Sequence, residues 1–421
     1  MLARSFRFGQ WRQRFAFLDA WKDLDRWLLF IPIGLTLLGG LLIRSTQANQ
    51  DFADWWQHWI TGAVGVGLAL AIARWRYDNW LKLQWWLYGA TCLSLIAVRF
   101  VGTTALGAER WISIGGFNVQ PSEFAKPLMI VVLAGILSRE TADRLPGLLK
   151  AIAIMSVPWL LIFLQPNLGT SLIFGAIVFG MLYWANAKPG WLLLMLSPLP
   201  SAILFEALPW VWPIWLGWMT YVGWQSFAWR WRGAIGALLT NITSGVVAGW
   251  AWENLLQDYQ RDRLILFLDP NKDPLGGGYN LIQARIAIGA GGLWGQGLHQ
   301  GTQTQLRFIP EQHTDFIFSA VGEELGFVGS IAVILLFWLV CWRLIAIATS
   351  ARDNFGSLLA IGVLSMLVFQ IVINISMTIG LGPVTGIPLP WLSYGRSALL
   401  ANFIAIGIVE SVWRFRQISR Y

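Results

Sequence analysis

Residues 28–43 read LLFIPIGLTLLGGLLI, a run without a single charged side chain. Similar apolar runs recur along the chain as far as Trp413, separated by short polar stretches. About 20 such residues let an α-helix cross the hydrocarbon core of a bilayer. Transmembrane β-strands would instead alternate polar and apolar residues, which residues 28–43 and 331–340 do not do. The sequence therefore predicts an all-α polytopic membrane protein.

The overall composition supports this prediction. Of 421 residues, 56% are hydrophobic and 12% are charged, whereas ordinary soluble domains have about 25% charged residues. The net charge is +8, but the basic residues lie in loops between the predicted spans rather than in one stripe, so we expect no nucleic-acid partner. Cys92 and Cys341 lie in apolar runs and the three histidines are far apart, which argues against disulfides and a structural zinc site.

Twelve apolar segments are candidates for membrane spans. They are 27–44, 58–73, 84–101, 121–138, 150–165, 170–185, 191–208, 209–225, 233–252, 316–342, 357–379 and 391–413. Arg and Lys concentrate in alternate loops, which places both termini in the cytoplasm. Residues 1–26 and 414–421 are then cytoplasmic tails on one transmembrane domain, 27–413. The segment 209–225 is either a span or an interfacial helix, because it contains Pro209, Pro213 and many tryptophans.

Two long polar stretches, 102–120 and 253–315, fall on the outer face in this topology. A long loop within a compact membrane domain is usually functional or disordered. Residues 264–268 and 281–288 are apolar, which favours a packed loop. We therefore expect the functional site on the outer face.

Glu123 and Lys126 lie on one helical face at the outer end of a predicted span. Pro121 and an acid in the first turn are ordinary signals for a helix start, but they do not account for Lys126. Ionisable side chains at membrane depth mark functional sites by default, with a purely structural ion pair as the alternative. A helix N-terminus with Arg110 and Lys126 would form a cradle for a diphosphate.

Asp315 lies where the second outer loop enters a membrane helix. A partly desolvated carboxylate at this boundary is a candidate general base for activating a hydroxyl. The alternative is that Thr314 or Asp315 only caps the helix. Several nearby side chains would not be needed for a cap: Arg307, Glu311, His313, Glu323 and Glu324.

Two further outer segments contain the turn residues Gly and Pro, at 165–170 and 380–390. Turn formation is the default interpretation for both. Non-helical backbone at membrane depth is tolerated where it lines a polar cavity, so both segments are candidate walls of the same outward-facing site.

Six motifs then occur in a fixed order along the chain. They are RWI at 110–112, QPSE at 120–123 with Lys126, QPNLGT at 165–170, DPLG at 273–276 with GY at 278–279, HTDFIF at 313–318, and GIPLP at 386–390 with SYG at 393–395. Together they resemble the SEDS family, named for shape, elongation, division and sporulation. The 165–170 turn and the 386–390 loop are more similar to the elongation (RodA-like) branch than to the division branch.

This resemblance implies a fold and a reaction. The fold is a bundle of ten core transmembrane helices, to which 209–252 would add an inserted hairpin, giving about twelve spans. The reaction is peptidoglycan glycosyl transfer, in which lipid II is polymerised into β-1,4 glycan strands on the outer face of the cytoplasmic (inner) membrane during cell elongation. The implied partner is a class B penicillin-binding protein, a transpeptidase, beside lipid II and the membrane lipids.

The resemblance also assigns roles to residues. Asp315 is the catalytic candidate, and inversion at the donor sugar needs no enzyme nucleophile. The expected substrate-binding residues are Arg110, Trp111, Gln120, Glu123, Lys126, Glu311, His313, Ser393 and Arg396. A divalent cation, Mg²⁺ or Mn²⁺, would help to neutralise the diphosphate; the sequence identifies no ligands for it, and no organic cofactor is expected. The chain departs from the family pattern at Glu109, Asn167 and Arg396.

Two other functions fit a polytopic protein with charges at membrane depth. A flippase or transporter for the same lipid is the main alternative, although the internal repeats with broken helices common in transporters are not visible in this sequence. The other alternative is a non-enzymatic scaffold for cell shape, which would not require the outward-facing ionisable residues.

Overall fold

The computed structural model describes residues 23–47, 55–105, 108–114, 117–165, 167–254, 261, 272–273, 278–306, 308–310 and 312–417. These ranges contain fifteen α-helices and three short β-strands. In chain order the elements are α1 (Arg26–Thr46), α2 (Trp55–Arg74), α3 (Asp78–Val101), β1 (Thr103–Ala105), β2 (Ala108–Ile114), β3 (Phe117–Val119), α4 (Pro121–Leu137), α5 (Leu145–Phe163), α6 (Leu168–Trp184), α7 (Pro189–Leu196), α8 (Pro198–Ala207), α9 (Trp212–Ser226), α10 (Arg230–Asn254), α11 (Tyr279–Ala290), α12 (Thr302–Leu306), α13 (Ile317–Ser350), α14 (Asn354–Ile379) and α15 (Arg396–Arg414). Most of the two predicted tails, 1–22 and 418–421, lies outside the described residues.

The predicted spans coincide with helices or helix pairs. The span predicted at 191–208 is a broken one, since α7 and α8 meet at an angle of 42°. By length and apolarity, seven of the described helices qualify as independent spans, or eight when this bent pair counts as one. The prediction of a helical polytopic membrane protein is confirmed, and the exact number of twelve spans stays a prediction.

The loop at 102–120 contains a small β-sheet that the all-α prediction did not include. Strands β1, β2 and β3 form an antiparallel sheet in that order, with Thr103 opposite Trp111 and Ile112 opposite Val119. A sequence signal was present, because Gly115 and Gly116 are the two residues between β2 and β3, and such pairs favour tight hairpins. The sheet contacts α4 through β2 and α15 through β3.

The centre of the bundle is formed by α4, α14 and α15. Helix α4 is buried along almost its whole length and packs against α3, α14 and α15. Helix α15 packs along α2, where small residues allow close approach. A Cβ at Gly65 would lie 2.5 Å from the Phe403 ring, and one at Gly407 would lie 2.7 Å from the Ala69 carbonyl oxygen. These two contacts fix α15 against α2, while α15 also packs on α4.

The predicted insertion is a helical hairpin, α9–α10, which packs mainly on α7 and α8. Its two helices approach closely, because a Cβ at Gly223 would lie 2.5 Å from the Gly233 carbonyl oxygen. Helix α9 has 15 residues. A helix of this length is only about 22 Å long, less than the roughly 30 Å of the hydrocarbon core. The choice between a tilted span and an interfacial helix therefore stays open for α9.

A topology experiment tests the hairpin. A reporter fused after Arg232 should indicate the cytoplasm, and one fused after Asp262 should indicate the outside, because α10 lies between the two positions. The same compartment for both reporters would show that α10 does not cross the membrane.

Candidate active site

Helices α4, α6, α13 and α15 all begin at the end of the bundle that carries the predicted site residues. Each helix N-terminus carries a positive partial charge and unpaired backbone N–H groups, so together they favour a bound anion. The side chains and loops that connect these four N-termini define the candidate site.

The N-termini of α4 and α15 are joined by a hydrogen bond. The Gln120 backbone N–H donates to Ser397 Oγ at 3.0 Å, and this hydroxyl lies 3.4 Å from the Asn118 carbonyl oxygen. Arg396 is the first residue of α15 and is half-buried. The contact therefore brings the predicted binding residues Gln120 and Arg396 to one place beneath the sheet.

Glu123 and Lys126 form the ion pair predicted from their spacing. Lys126 Nζ donates to Glu123 Oε2 at 2.6 Å, with Lys126 0% and Glu123 4% exposed. The desolvation of two charges is expensive unless they remain paired. Because Glu123 holds the ammonium group directly, any influence of Lys126 on a substrate at this site involves the carboxylate too.

The backbone around Asp315 is fixed on both sides. The Tyr394 N–H donates to the His313 carbonyl oxygen at 2.8 Å, and Asn374 Nδ2 donates to the Asp315 carbonyl oxygen at 2.9 Å. The Asp315 side chain is half-buried. Helix α13 has Phe316 as its N-cap residue, so Thr314 and Asp315 do not occupy the cap position of the alternative interpretation.

Asn374 was missed by the sequence analysis. Its Nδ2 donates to the carbonyl oxygen of Ile387 at 2.8 Å as well as to that of Asp315, and it is fully buried. This side chain therefore ties the 380–390 loop to the Asp315 segment. The available signal was an amide inside an otherwise apolar membrane helix, a position where polar side chains bond neighbouring elements.

Asn374→Leu should lower the free energy of unfolding by about 1–3 kcal/mol for each carbonyl left buried without a donor. Gln370→Leu is the matched control, since Gln370 lies one turn away and its buried amide has no hydrogen-bond partner among the described residues. Thermal unfolding of both purified variants checks this expectation. Equal unfolding temperatures would contradict the assigned role of Asn374.

Ser393 and Tyr394 shape the segment before α15. Ser393 Oγ accepts from the Leu389 N–H at 2.8 Å, and the Ser393 N–H donates to the Leu389 carbonyl oxygen at 3.0 Å. The Tyr394 hydroxyl donates to Gln57 Oε1 at 3.1 Å, and its ring lies 5.8 Å from the His313 ring. Ser393 thus closes a turn, and its predicted contact with substrate stays a prediction.

The 165–170 turn contacts the same site. Asn167 accepts from the Thr170 N–H at 3.3 Å as the cap of α6, and its Nδ2 lies 3.5 Å from Ser122 Oγ. A Cβ at Gly169 would lie 2.8 Å from the Thr385 carbonyl oxygen, so the turn packs on the 380–390 loop. Asn and Asp are equally good N-caps. The cap function is therefore preserved at this departure from the family pattern.

Glu323 holds the start of α12, which in turn contacts the segment before Asp315. Its carboxylate accepts from the Gln303 N–H at 2.7 Å and from the N–H and hydroxyl of Thr304 at 2.8 and 2.5 Å. Gln312 Nε2 in turn donates to Thr304 Oγ1 at 3.2 Å. The next acid along, Glu324, accepts from the Ser45 hydroxyl. Both buried acids therefore have partners within the protein.

Some predicted residues cannot be placed. Arg307 and Glu311 lie outside the described residues, and of Arg110 only the backbone in β2 is described, next to the half-buried Trp111. Within the described ranges, no three His, Cys, Asp or Glu side chains come together to hold a metal ion. The predicted divalent cation therefore stays a prediction.

Comparison with known proteins identifies the family. A family model for FtsW, RodA and SpoVE, described as "Cell cycle protein", matches residues 24–212 and 214–418. The chain belongs to this family. The SEDS resemblance predicted from the six motifs is thereby confirmed. The peptidoglycan glycosyltransferase MrdB of Escherichia coli K12 is 34% identical over 403 residues, which cover 94% of each chain.

Solved structures of the FtsW/RodA/SpoVE family share the fold. A chain of a peptidoglycan synthase complex, studied for its coordination of polymerization and crosslinking, has a TM-score of 0.70 and 27% identity, covering 94% of this chain and 99% of that one. The crystal structure of Thermus thermophilus RodA, the rod shape determining protein, has a TM-score of 0.62 and 23% identity, covering 94% and 98%. The predicted SEDS-type helical bundle is confirmed.

Proposed function

We propose that this protein is a peptidoglycan glycosyltransferase, which polymerises lipid II into β-1,4 glycan strands. One observation carries the proposal: Asp315 is half-buried, with its backbone fixed on both sides, at the end of the bundle where four helices begin. The similarity to MrdB over 94% of the chain supports the reaction class. A fixed carboxylate beside an anion-binding region suits glycosyl transfer from a diphosphate donor.

In the proposed reaction Asp315 takes the proton from the 4-hydroxyl of the acceptor sugar. The hydroxyl oxygen attacks the anomeric carbon of the donor, and the bond from that carbon to the diphosphate oxygen breaks. The α-linked donor therefore gives a β-1,4 bond in one inverting step, and undecaprenyl diphosphate leaves with the bonding electron pair. The bonds from Asn374 and Tyr394 hold the base in place before substrate arrives.

The leaving diphosphate needs positive charge around it. The N-termini of α4, α6, α13 and α15 supply the positive ends of their helix dipoles, and Arg396 at the start of α15 supplies a full charge. Arg110, from β2, is the second proposed cation. Glu123 and Lys126 are proposed to act together, as an ion pair, in orienting hydroxyl or phosphate oxygens of the substrate. Lys126 does not act there as an isolated cation.

The proposed setting is the cytoplasmic membrane, with both termini in the cytoplasm and the Asp315 end outside. A class B penicillin-binding protein is the proposed partner, because the similar chain of 27% identity belongs to a peptidoglycan synthase complex. The motifs at 165–170 and 386–390 favour a role in cell elongation. Loss of rod shape rather than blocked division on depletion would support that role.

The main alternative, lipid II translocation, is separated from polymerisation in sealed vesicles. Purified protein is reconstituted with lipid II in both leaflets, and glycan chains and leaflet exchange are measured independently. We expect glycan chains without accelerated exchange. Exchange without glycan chains would establish a flippase, and neither activity in a folded sample would favour the scaffold.

A further inference from the structure

A cavity of about 780 Å³ lies at the opposite end of the bundle from Asp315. It is formed where the start of α5, helix α7 and the α9–α10 turn meet, and this is the face that the predicted topology places in the cytoplasm. Its volume falls within the usual range of small-ligand sites, about 300–1,000 Å³. Because the two lie at opposite ends of the bundle, the cavity is separate from the proposed catalytic site.

The mouth of the cavity is positively charged. Arg144, Lys188 and Arg232 line it and are exposed, and in the described part of the chain none of them forms an ion pair. The one acid in the lining is Asp143, whose carboxylate accepts from the Thr141 hydroxyl. Helices α5, α7 and α10 also begin at this mouth and add their positive ends.

Two of these cations lie over tryptophan rings. Lys188 Nζ is 4.9 Å from the Trp191 ring centroid, and the Arg232 guanidinium is 4.4 Å from the Trp229 ring centroid. Tryptophan is typical of the membrane–water interface, where its ring sits at headgroup depth. The mouth of the cavity therefore combines cations that can bind a phosphate with rings that are typical of headgroup depth.

The side walls are mainly apolar and belong to the predicted membrane helices, while the floor is polar. Leu194 of α7 faces Gly236 and Ala237 of α10, and the floor is closed by Asn241, whose Nδ2 donates to Ser197 Oγ at 2.9 Å. From Arg232 to Asn241 the wall follows α10 for about 14 Å. In the predicted topology these walls lie in the acyl-chain region of the membrane, which favours an amphiphile over a water-soluble peptide.

We propose that this cavity binds an anionic phospholipid of the inner leaflet. The phosphate contacts Arg144, Lys188 and Arg232, and an acyl chain lies along α7 and α10. Charge complementarity at the mouth and apolar walls beneath it select this occupant. Because the α9–α10 hairpin packs mainly on α7 and α8, the lipid bridges the hairpin to the start of α5.

Native mass spectrometry of the purified full-length chain tests this proposal, with phosphatidylglycerol and phosphatidylcholine of identical acyl chains as probes. The triple variant Arg144→Gln, Lys188→Gln, Arg232→Gln should bind phosphatidylglycerol on the order of 100-fold more weakly, since each cation contributes to the attraction of anionic lipid. The matched control is Lys82→Gln, Arg139→Gln, Lys150→Gln, three exposed cations outside the cavity lining. The control should bind like the unmodified chain.

A second pair of variants tests the apolar walls without changing charge. An added Cβ meets nothing within 4 Å at Gly236 or at Gly217, so both positions accept a larger side chain. Gly236 lines the cavity and Gly217 does not. Gly236→Leu should therefore reduce phosphatidylglycerol binding about tenfold, whereas Gly217→Leu should leave it unchanged.

Four results would overturn the proposal. They are equal binding by the cavity variants and their controls, equal binding of phosphatidylcholine and phosphatidylglycerol, displacement of the lipid by glycerol phosphate at comparable concentration, and tighter binding of a polyprenyl diphosphate. The third would indicate a simple anion site, and the fourth would assign the cavity to the substrate lipid. Selective loss of phosphatidylglycerol binding in both cavity variants supports the proposal.

Discussion

Asp315→Asn should polymerise lipid II at least about a hundredfold more slowly than the unmodified protein, the low end of the roughly 10²–10⁴-fold effect of general-base catalysis. Asparagine preserves the shape of the side chain but has no useful proton affinity. The bonds that Asn374 and Tyr394 make are to backbone groups, so they persist in the variant. Glycan synthesis is measured on purified, reconstituted protein.

The control for Asp315→Asn is Asp78→Asn at the other end of the bundle. Asp78 pairs with Arg76 at 3.0 Å, both partly solvent-exposed, and surface pairs of this kind contribute only about 0–1 kcal/mol. Both variants should insert and unfold at nearly the same temperature, and only Asp315→Asn should lose activity. Near-normal synthesis by Asp315→Asn would show that Asp315 is not the general base. Glu311 would then be the next candidate. Glu323 would not, because its carboxylate already binds backbone N–H groups of α12.

Lys126→Met should abolish polymerisation while the protein still inserts into the membrane. The change leaves Glu123 buried without its partner, and breaking such a pair typically costs about 3–5 kcal/mol. We therefore expect a lower unfolding temperature as well as lost activity. Lys126→Arg should restore part of the activity, because the charge is kept while the geometry changes.

The double variant Glu123→Gln, Lys126→Met separates catalysis from folding. Removing both charges leaves no unpaired buried charge, so the variant should be more stable than Lys126→Met. If the pair acts on substrate, the double variant remains inactive despite being stable. A stable and active double variant would show that the pair has a purely structural role.

The helices were predictable because their signals are local. Long apolar runs gave the positions of α1 and α15, and Pro121 with Glu123 gave the start of α4. The sheet was missed because its strands are only three to seven residues long, although Gly115 and Gly116 signalled a hairpin. Short strands are set by pairing, which an apolar pattern does not report.

The site was predictable only in part. The sequence indicated Glu123, Lys126 and Asp315 from charge at membrane depth, but the contacts between distant segments depend on tertiary packing. The two carbonyl groups that Asn374 bonds lie in separate segments, and no spacing in the sequence connects them. The burial of Lys126 against Glu123 likewise follows from how α4 packs between α14 and α15.

The most direct test of the central claim is glycan synthesis from lipid II by the purified chain alone, with polyprenyl diphosphate counted as the co-product. We predict that one polyprenyl diphosphate is released for each glycosidic bond formed. Asp315→Asn should form both products much more slowly. Unchanged lipid II in the presence of folded protein, or equal product from Asp315→Asn, would contradict the account.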